Sequence, residues 1–525
     1  MLPLVIGTDR QFSRLRKALD GAGFTESAVC ERSGIESIYQ FKTMLEQQSD
    51  RASFGDRLDV LIRLLMDGLI IKEKVILEHL SSETLGDLEA LGLVERDPEN
   101  SALCNATAFL YPVAGVYIAS DRTFAPRRKD QALPEDVVYA AITANTGRFL
   151  SILPQEPCDD FLDLCSGTGV AAIAAGAHYA QHSWATDLGA RCVHFAEFNR
   201  LLNGLTNVNC AQGDLYDAVG DRTFDRIAAH PPYVPSKDRK FLFRDGGEDG
   251  EQILRRIIEG LPSHLRPNGR FYCVTFATDR EDSQVEKRVR DWLGEAQSEF
   301  DICLLESEFQ SRPEALLNSV EKAKGRLGTL SETARLFEEL KVTGLFYGTI
   351  VVHRKTESRP AATGRIRKAV NAGTGAVEWF WRWQAASHHS GFSERVLESR
   401  PAPSAGFKLQ VTHTRQQQGM IPSHFLLRTE SPFMSEAVVE PWVAVVVGNC
   451  DGQRTVRQIF SEMKRQEVIS AEMTEADFEG IVQLLISNGF LEVPGWPLPV
   501  PFTHRSEQPA EKETDGLGWD LVQVK

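Results

Sequence analysis

The chain has 525 residues, a formal net charge of −15, 42% hydrophobic and 9% aromatic side chains, so it is too long for one core and too ordinary in composition for a disordered or collagenous protein. No apolar run reaches the roughly 18 to 20 residues of a membrane-spanning helix, and the opening residues lack a signal-cleavage pattern, so a cytoplasmic protein with no membrane partner is expected. The nine cysteines are scattered and never in CxxC spacing, which points to free thiols rather than disulfides or a zinc centre.

The charge is uneven along the chain. Residues 355–430 carry 11 basic against 5 acidic side chains, whereas every other stretch is acidic. From Phe12 to Gly23, Phe12, Leu15, Leu19 and Ala22 fall on one helical face, and a second helix around Arg57 to Met66 buries Leu58, Leu61, Ile62, Leu65 and Met66. Ser81-Ser82-Glu83-Thr84-Leu85 reads as the cap of a third helix that ends in Leu91-Gly92-Leu93-Val94-Glu95, followed by turn-rich Asp97 to Asn100 and strand-like Ala108 to Tyr111 and Gly115 to Ile118. This order resembles a winged helix, and without basic excess it reads as a packing module rather than a DNA reader.

Residues 134–354 alternate strand-like and helical runs, the pattern of a parallel sheet with helices on both faces. Strands are predicted at Phe161–Cys165, Ser183–Asp187, Val208–Cys210, Arg226–Ala229, Gly269–Thr275 and in a closing pair ending at Phe346–Arg354. Thr356 to Gly406 reads as a linker with one aromatic anchor, Trp379 to Trp383, whose rings are expected to pack rather than to stack on bases. Beyond it, Val443–Val447 is predicted as a buried strand, Thr455 as a helix cap, and Asp477–Leu491 as a helix ending in a second winged-helix-like junction.

The chemistry concentrates in four loops. Strand Phe161 to Cys165 runs into Cys165-Ser166-Gly167-Thr168-Gly169 and then a helix, and glycines are needed where a ligand lies against a strand-to-helix turn. Twenty residues after Gly167 the next strand ends in Asp187, the position of a carboxylate that takes a pair of ribose hydroxyls. Gly213-Asp214-Leu215 and His230-Pro231-Pro232-Tyr233 follow the next two strands. In an open parallel sheet all four converge on one crevice. The six residues from Gly167 do not complete GxGxxG, which disfavours a nicotinamide site.

These motifs, with Asp163-Leu164-Cys165-Ser166-Gly167-Thr168-Gly169 and the glycine-rich Phe243 to Gly250, resemble the class I S-adenosylmethionine-dependent methyltransferases. The likeness is to the branch of release-factor glutamine methyltransferases and small-domain RNA methyltransferases, over residues 120–355. It implies that Asp163, Cys165 and the Gly167-Thr168-Gly169 turn hold the methionine end of S-adenosyl-L-methionine. Asp187 would take the ribose hydroxyls, and Asp214 with Leu215 would read the adenine. His230, Pro231, Pro232 and Tyr233 would form the catalytic loop. His230 departs from the pattern, because that branch places Asn or Asp there to clamp a planar amide. Neutral His accepts one hydrogen bond through a ring nitrogen or takes the departing proton as a general base.

The expected fold is α/β: a Rossmann-like class I methyltransferase sheet (120–355), an N-terminal helical, winged-helix-like domain (1–119), a linker (356–406), a C-terminal small α+β, winged-helix-like domain (407–500) and a polar tail (501–525). The expected activity is N-methylation of a planar amide or amine, a protein glutamine or a related group. The alternatives are an RNA or DNA base methyltransferase, a metabolite methyltransferase and a degenerate cofactor-binding scaffold. The acceptor is expected to be a protein or small molecule, since the acidic balance disfavours nucleic acid. No metal is expected: Asp245, Glu248 and Asp249 read as part of a substrate-side flap, and His388-His389 and Cys192 with His194 lack ligand spacing.

Overall fold

Thr8 and Gln11 form a reciprocal capping box that starts α1 (Asp9–Gly21), whose Phe12, Leu15 and Leu19 are buried as their spacing predicts. The computed structural model describes residues 2–47, 54–123, 134–236, 242–311, 334–367, 375–416, 419–430 and 434–495, and the predicted tail lies outside them. Two units are distinguished, one over residues 1–297 and 310–354, the other over residues 298–309 and from 355 onward.

In the first unit α1 is followed by α2 (Glu26–Ser33), α3 (Phe41–Gln47) and α4 (Arg57–Leu61), which continues as a π-turn over Ile62–Met66. Then come β1 (Ile71–Lys72), α5 (Glu73–His79), α6 (Ser82–Ala90), β2 (Val94–Arg96) and β3 (Leu103–Ala106), the strands lying antiparallel in the order β1-β3-β2. The Ser81 hydroxyl accepts from the Thr84 N–H at 3.0 Å and starts α6 as expected. A hairpin, β4 (Phe109–Val113) with β5 (Val116–Ser120), leads into the larger sheet.

That sheet follows α7 (Ala144–Ser151) and alternates strand and helix: β6 (Cys158–Leu164), α8 (Val170–His178), β7 (Ala180–Asp187), α9 (Ala190–Leu202), β8 (Val208–Gln212) and β9 (Phe224–Ala229). It continues with α10 (Gln252–His264), β10 (Leu265–Arg280), α11 (Val285–Trp292) and, after β11 (Phe300–Ser311), which belongs to the second unit, β12 (Val342–Arg354). Within the first unit the strand order is β8-β7-β6-β9-β10-β12. The pairs among β6 to β10 are parallel, and β12 runs antiparallel to β10. The sequence therefore located the parallel strands, and the direction of connection reverses between β6 and β9, where ligands bind in such sheets.

The amino-terminal helices and the sheet share one apolar core, with the Phe12 and Phe198 rings 5.1 Å apart. Asn199 on α9 is fully buried and fastens this junction: its amide exchanges hydrogen bonds with the Ala119 backbone at 2.7 and 3.0 Å and donates to the Thr168 carbonyl at 3.0 Å.

The second unit holds β11 and β13 (Thr363–Arg367), which pair in parallel, then α12 (Gly375–Ser387) and α13 (Phe392–Glu398). After β14 (Ala402–Pro403) come three antiparallel strands, β15 (Lys408–Gln416), β16 (Gly419–Thr429) and β17 (Ser435–Val439). It closes with α14 (Pro441–Asn449), α15 (Val456–Arg465), α16 (Glu475–Ser487) and β18 (Leu491–Glu492), which pairs with β14.

Two expectations are corrected here. The stretch read as a linker builds two strands and two helices, because Trp379, Trp381 and Trp383 are buried in the unit and the Trp379 Nε1–H donates to the Ser487 carbonyl at 2.9 Å. Val443–Val447 lies in a helix, started by Pro441 in the first turn, which buries Ala444, Val446 and Val447. Packing here overrides the strand preference of valine.

Replacing Asn199 with Ala leaves two buried backbone groups of the hairpin and one of the glycine turn without partners, so we expect a loss of roughly 2–4 kcal/mol of stability, read as the shift in the urea-unfolding midpoint.

Candidate functional site

Strand register alone brings the four loops together. Leu164 pairs with Thr186 on one side and with Ala229 on the other, and Asp187 pairs with Gln212. The turn after β6, Asp187 at the tip of β7, the Gly213 loop after β8 and His230 after β9 therefore leave neighbouring strands on one edge.

Asp187 ties three of these loops. One carboxylate oxygen accepts from the Gly167 N–H and the other from the Gly189 N–H, both at 2.9 Å, while its carbonyl accepts from the Gly213 N–H at 3.0 Å. Its carboxyl is raised above the ordinary range by burial, partly countered by those donors. The turn it holds is built of left-handed residues: Cys165 has φ 56°, Gly167 54° and Gly169 75°. A Cβ on Gly169 would stand 2.9 Å from the Ala196 Cβ, so this glycine is required for packing. A Cβ on Gly167 would meet nothing within 4 Å, so that glycine faces open space.

Beneath the turn, Asp163 is only 2% exposed and accepts from the Ala172 N–H at 3.3 Å. Burial pushes its carboxyl up to about 8. Thr168 is buried too, and burial raises the Cys165 thiol. The Ser166 hydroxyl, which the motif contains without an assigned role, is buried and has no hydrogen-bond partner among the described residues, which leaves a donor for a ligand. Asp214 stands apart from the others: it is half exposed, and both its oxygens accept from the Arg256 guanidinium at 3.1 and 2.9 Å. Leu215 beside it has a left-handed φ of 55°.

The loop after β9 is walled by rings. His230 lies 5.5 Å from the Phe149 ring and 6.0 Å from the Tyr233 ring, and its nitrogens meet no hydrogen-bond partner among the described residues. Desolvation lowers its pKa to about 4, so the ring is neutral at physiological pH. The Asn145 amide donates to the Tyr233 hydroxyl at 3.2 Å and accepts from the Tyr347 hydroxyl at 3.0 Å, which fixes both tyrosines. Asn145, Phe149 and Tyr347 carry no local motif, and only their place in the fold reveals them.

Pro231 is buried, Pro232 and Tyr233 partly so. The glycine-rich segment read as a flap cradles this loop instead: Val234 N–H donates to the Arg244 carbonyl at 2.9 Å, and Gly246 N–H to the Val234 carbonyl at 2.8 Å. A Cβ on Gly246 would lie 2.7 Å from the Pro232 carbonyl oxygen, so no side chain is tolerated there. Among the described residues, no group of three or more His, Cys, Asp or Glu side chains could hold a metal ion, and no helix is long and apolar enough to cross a membrane.

The site is thus acidic along its first three loops and neutral and aromatic at the fourth. Asp187 and the partly exposed Asp214, with the Ser166 hydroxyl, suit a ligand bearing hydroxyls and an amine, while Asp163, whose carboxyl burial raises to about 8, stands beneath them as a hydrogen-bonding group. S-adenosylmethionine, with its sulfonium, ammonium and ribose diol, fits this donor set.

A family model described as the methyltransferase small domain matches residues 138–299. A ribosomal protein uL3 glutamine methyltransferase of Bradyrhizobium diazoefficiens is 35% identical over 125 residues, 21% of this chain and 39% of that protein. A release factor glutamine methyltransferase of Thermodesulfovibrio yellowstonii is 29% identical over 157 residues, 27% of this chain and 52% of that protein. A "Putative protein N5-glutamine methyltransferase" of Methanocaldococcus jannaschii is 37% identical over 135 residues, 24% of this chain and 67% of that protein. The chain thus spans about two fifths to two thirds of the length of these relatives. On the sheet order, the four strand-end loops and these likenesses, the chain belongs to the methyltransferase small-domain family of S-adenosylmethionine-dependent enzymes.

Proposed function

We propose that the protein transfers a methyl group from S-adenosyl-L-methionine to the nitrogen of a planar amide, with a protein glutamine as acceptor. The observation that carries this reading is the single carboxylate, Asp187, that staples the glycine turn to its own loop and, through its carbonyl, to the Gly213 loop. Asp187 is half-buried rather than enclosed, so its carboxylate can meet a pair of hydroxyls beside the Gly167, Gly189 and Cys192 groups that already face it. The names of the relatives supply the acceptor class. Asp163, Cys165, Ser166, Gly167, Thr168 and Gly169 would hold the methionine end, and Asp214 with Leu215 the adenine.

When bound, the cofactor supplies an electrophilic methyl group. The chain's own contribution is orientation. Tyr233, fixed by Asn145, presents a ring face to a planar acceptor, and the Pro231 carbonyl accepts one N–H. His230 accepts the other N–H at a ring nitrogen and holds the proton that the acceptor gives up. Holding the reactants in line in this way supplies several kcal/mol toward the barrier.

The flanking segments would select the acceptor. A winged-helix-like module over residues 1–119 is supported by the order β1, α5, α6, β2, β3 with sheet order β1-β3-β2. The same reading of residues 407–500 is supported by α15 and α16 followed by the short strand β18. A cytoplasmic setting accords with nine free cysteines, all buried or partly so.

Incubation with methyl-labelled cofactor and a lysate from cells lacking the gene should give label that is released by protease and recovered as N5-methylglutamine; label released by nuclease or passing a size filter would overturn the acceptor class. Asp187→Ala should weaken S-adenosylhomocysteine binding by roughly 10- to 100-fold in calorimetry, and unchanged affinity would refute the cofactor site. His230→Ala should lower turnover by roughly 10- to 100-fold while leaving that affinity within about twofold. Because burial lowers the His230 pKa to about 4, the neutral base is present above that value and lost below it. The rate should therefore show no His230 step between pH 6 and 8 and should fall as the pH drops toward 4.

A further inference from the structure

We propose that Arg256 is a positioning residue for the adenine end of the cofactor: its guanidinium fork fixes the orientation in which the Asp214 carboxylate accepts from the exocyclic amine of the base. The inference rests on the reading of Asp214 given above and goes beyond it by assigning a residue on another element.

Three observations carry it. The contact is two-pronged, Nη1 to one oxygen of Asp214 at 3.1 Å and Nη2 to the other at 2.9 Å, a geometry that sets the plane of a carboxylate as a single ammonium cannot. Both partners are also built in place. The Tyr216 hydroxyl donates to the Ile257 carbonyl at 2.9 Å, its ring stacks on His264 at 4.1 Å, and a Cβ on Gly260 would come within 2.5 Å of that ring. Helix α10 is thereby clamped to the Asp214 loop one residue from Arg256. On the other side, the Gly213 N–H is held by the Asp187 carbonyl at 3.0 Å and Leu215 takes a left-handed φ of 55°, so the carboxylate's base is fixed too.

The third observation is a contrast with the preceding residue. Arg255 pairs with Glu259 one turn along the same helix, at 2.7 Å, with both side chains exposed. That pair touches no loop of the site. Exposed pairs of either kind contribute little to stability, so a role for Arg256 shows in ligand discrimination rather than in folding.

The test is calorimetry with S-adenosylhomocysteine and its 6-deamino analogue, which keeps the ring nitrogens and lacks only the amino group. The wild-type chain should prefer the amino compound. Arg256→Met should reduce that preference by about five- to tenfold with an unchanged melting temperature, Arg256→Lys should fall between, and Arg255→Met should leave it intact. If Asp214→Asn abolishes the preference while Arg256→Met retains it, the inference falls and the Asp214 assignment stands. If the wild-type chain binds S-adenosylhomocysteine without distinguishing the two compounds, both fall, and if it does not bind it at all, the cofactor reading itself falls.

Discussion

A single half-buried carboxylate organises the site. Asp187 accepts from the N–H groups of Gly167 and Gly189 and offers its carbonyl to Gly213, so three loops that would otherwise adopt independent conformations are fixed to the tip of one strand. Burial of the charge is unfavourable, and the two backbone donors offset part of that cost. The arrangement also dictates sequence. The Gly167 N–H reaches Asp187 from a left-handed backbone with φ 54°, a conformation that glycine adopts without the strain a Cβ brings.

The fourth loop is built on the opposite plan. Its backbone is gripped by another backbone, the Arg244–Gly250 segment, and its side chains stand among rings rather than ions. Without nearby charge, His230 loses the solvation that would let it protonate, and burial alone sets its low pKa. Hydrogen bonds made in such a low-dielectric setting are stronger than in water, and those between Asn145 and the two tyrosines are already in place. The acidic and the aromatic halves meet because β6 pairs with both β7 and β9.

How much of this is legible in the sequence depends on distance along the chain. The glycine turn, Asp163, Asp187 and the His230 loop each sit beside a strand whose apolar run announces its end, so local pattern suffices. Asn145 lies 88 residues from Tyr233 and 202 from Tyr347, and no periodicity links them. The misread elements fail for a related reason. Val443–Val447 satisfies strand preference locally, and the three tryptophans near Trp381 lie in a segment of linker-like composition; in both, burial in the second unit decides the outcome. The Phe243–Gly250 segment is legible as glycine-rich, but a glycine kept free for a neighbouring carbonyl cannot be told in sequence from one kept free for motion.

The β4–β5 hairpin meets the glycine turn through Asn199. Its buried amide reaches the hairpin at Ala119 on one side and the Thr168 carbonyl of the glycine turn on the other. The turn is therefore ordered when the amino-terminal core folds, and the conformational entropy of fixing it is not charged again to ligand binding. An accessory segment that shares a core with the sheet in this way cannot act as an independent tether. The hairpin is joined to the glycine turn by the one Asn199 amide, so the two share a buried hydrogen-bonded contact.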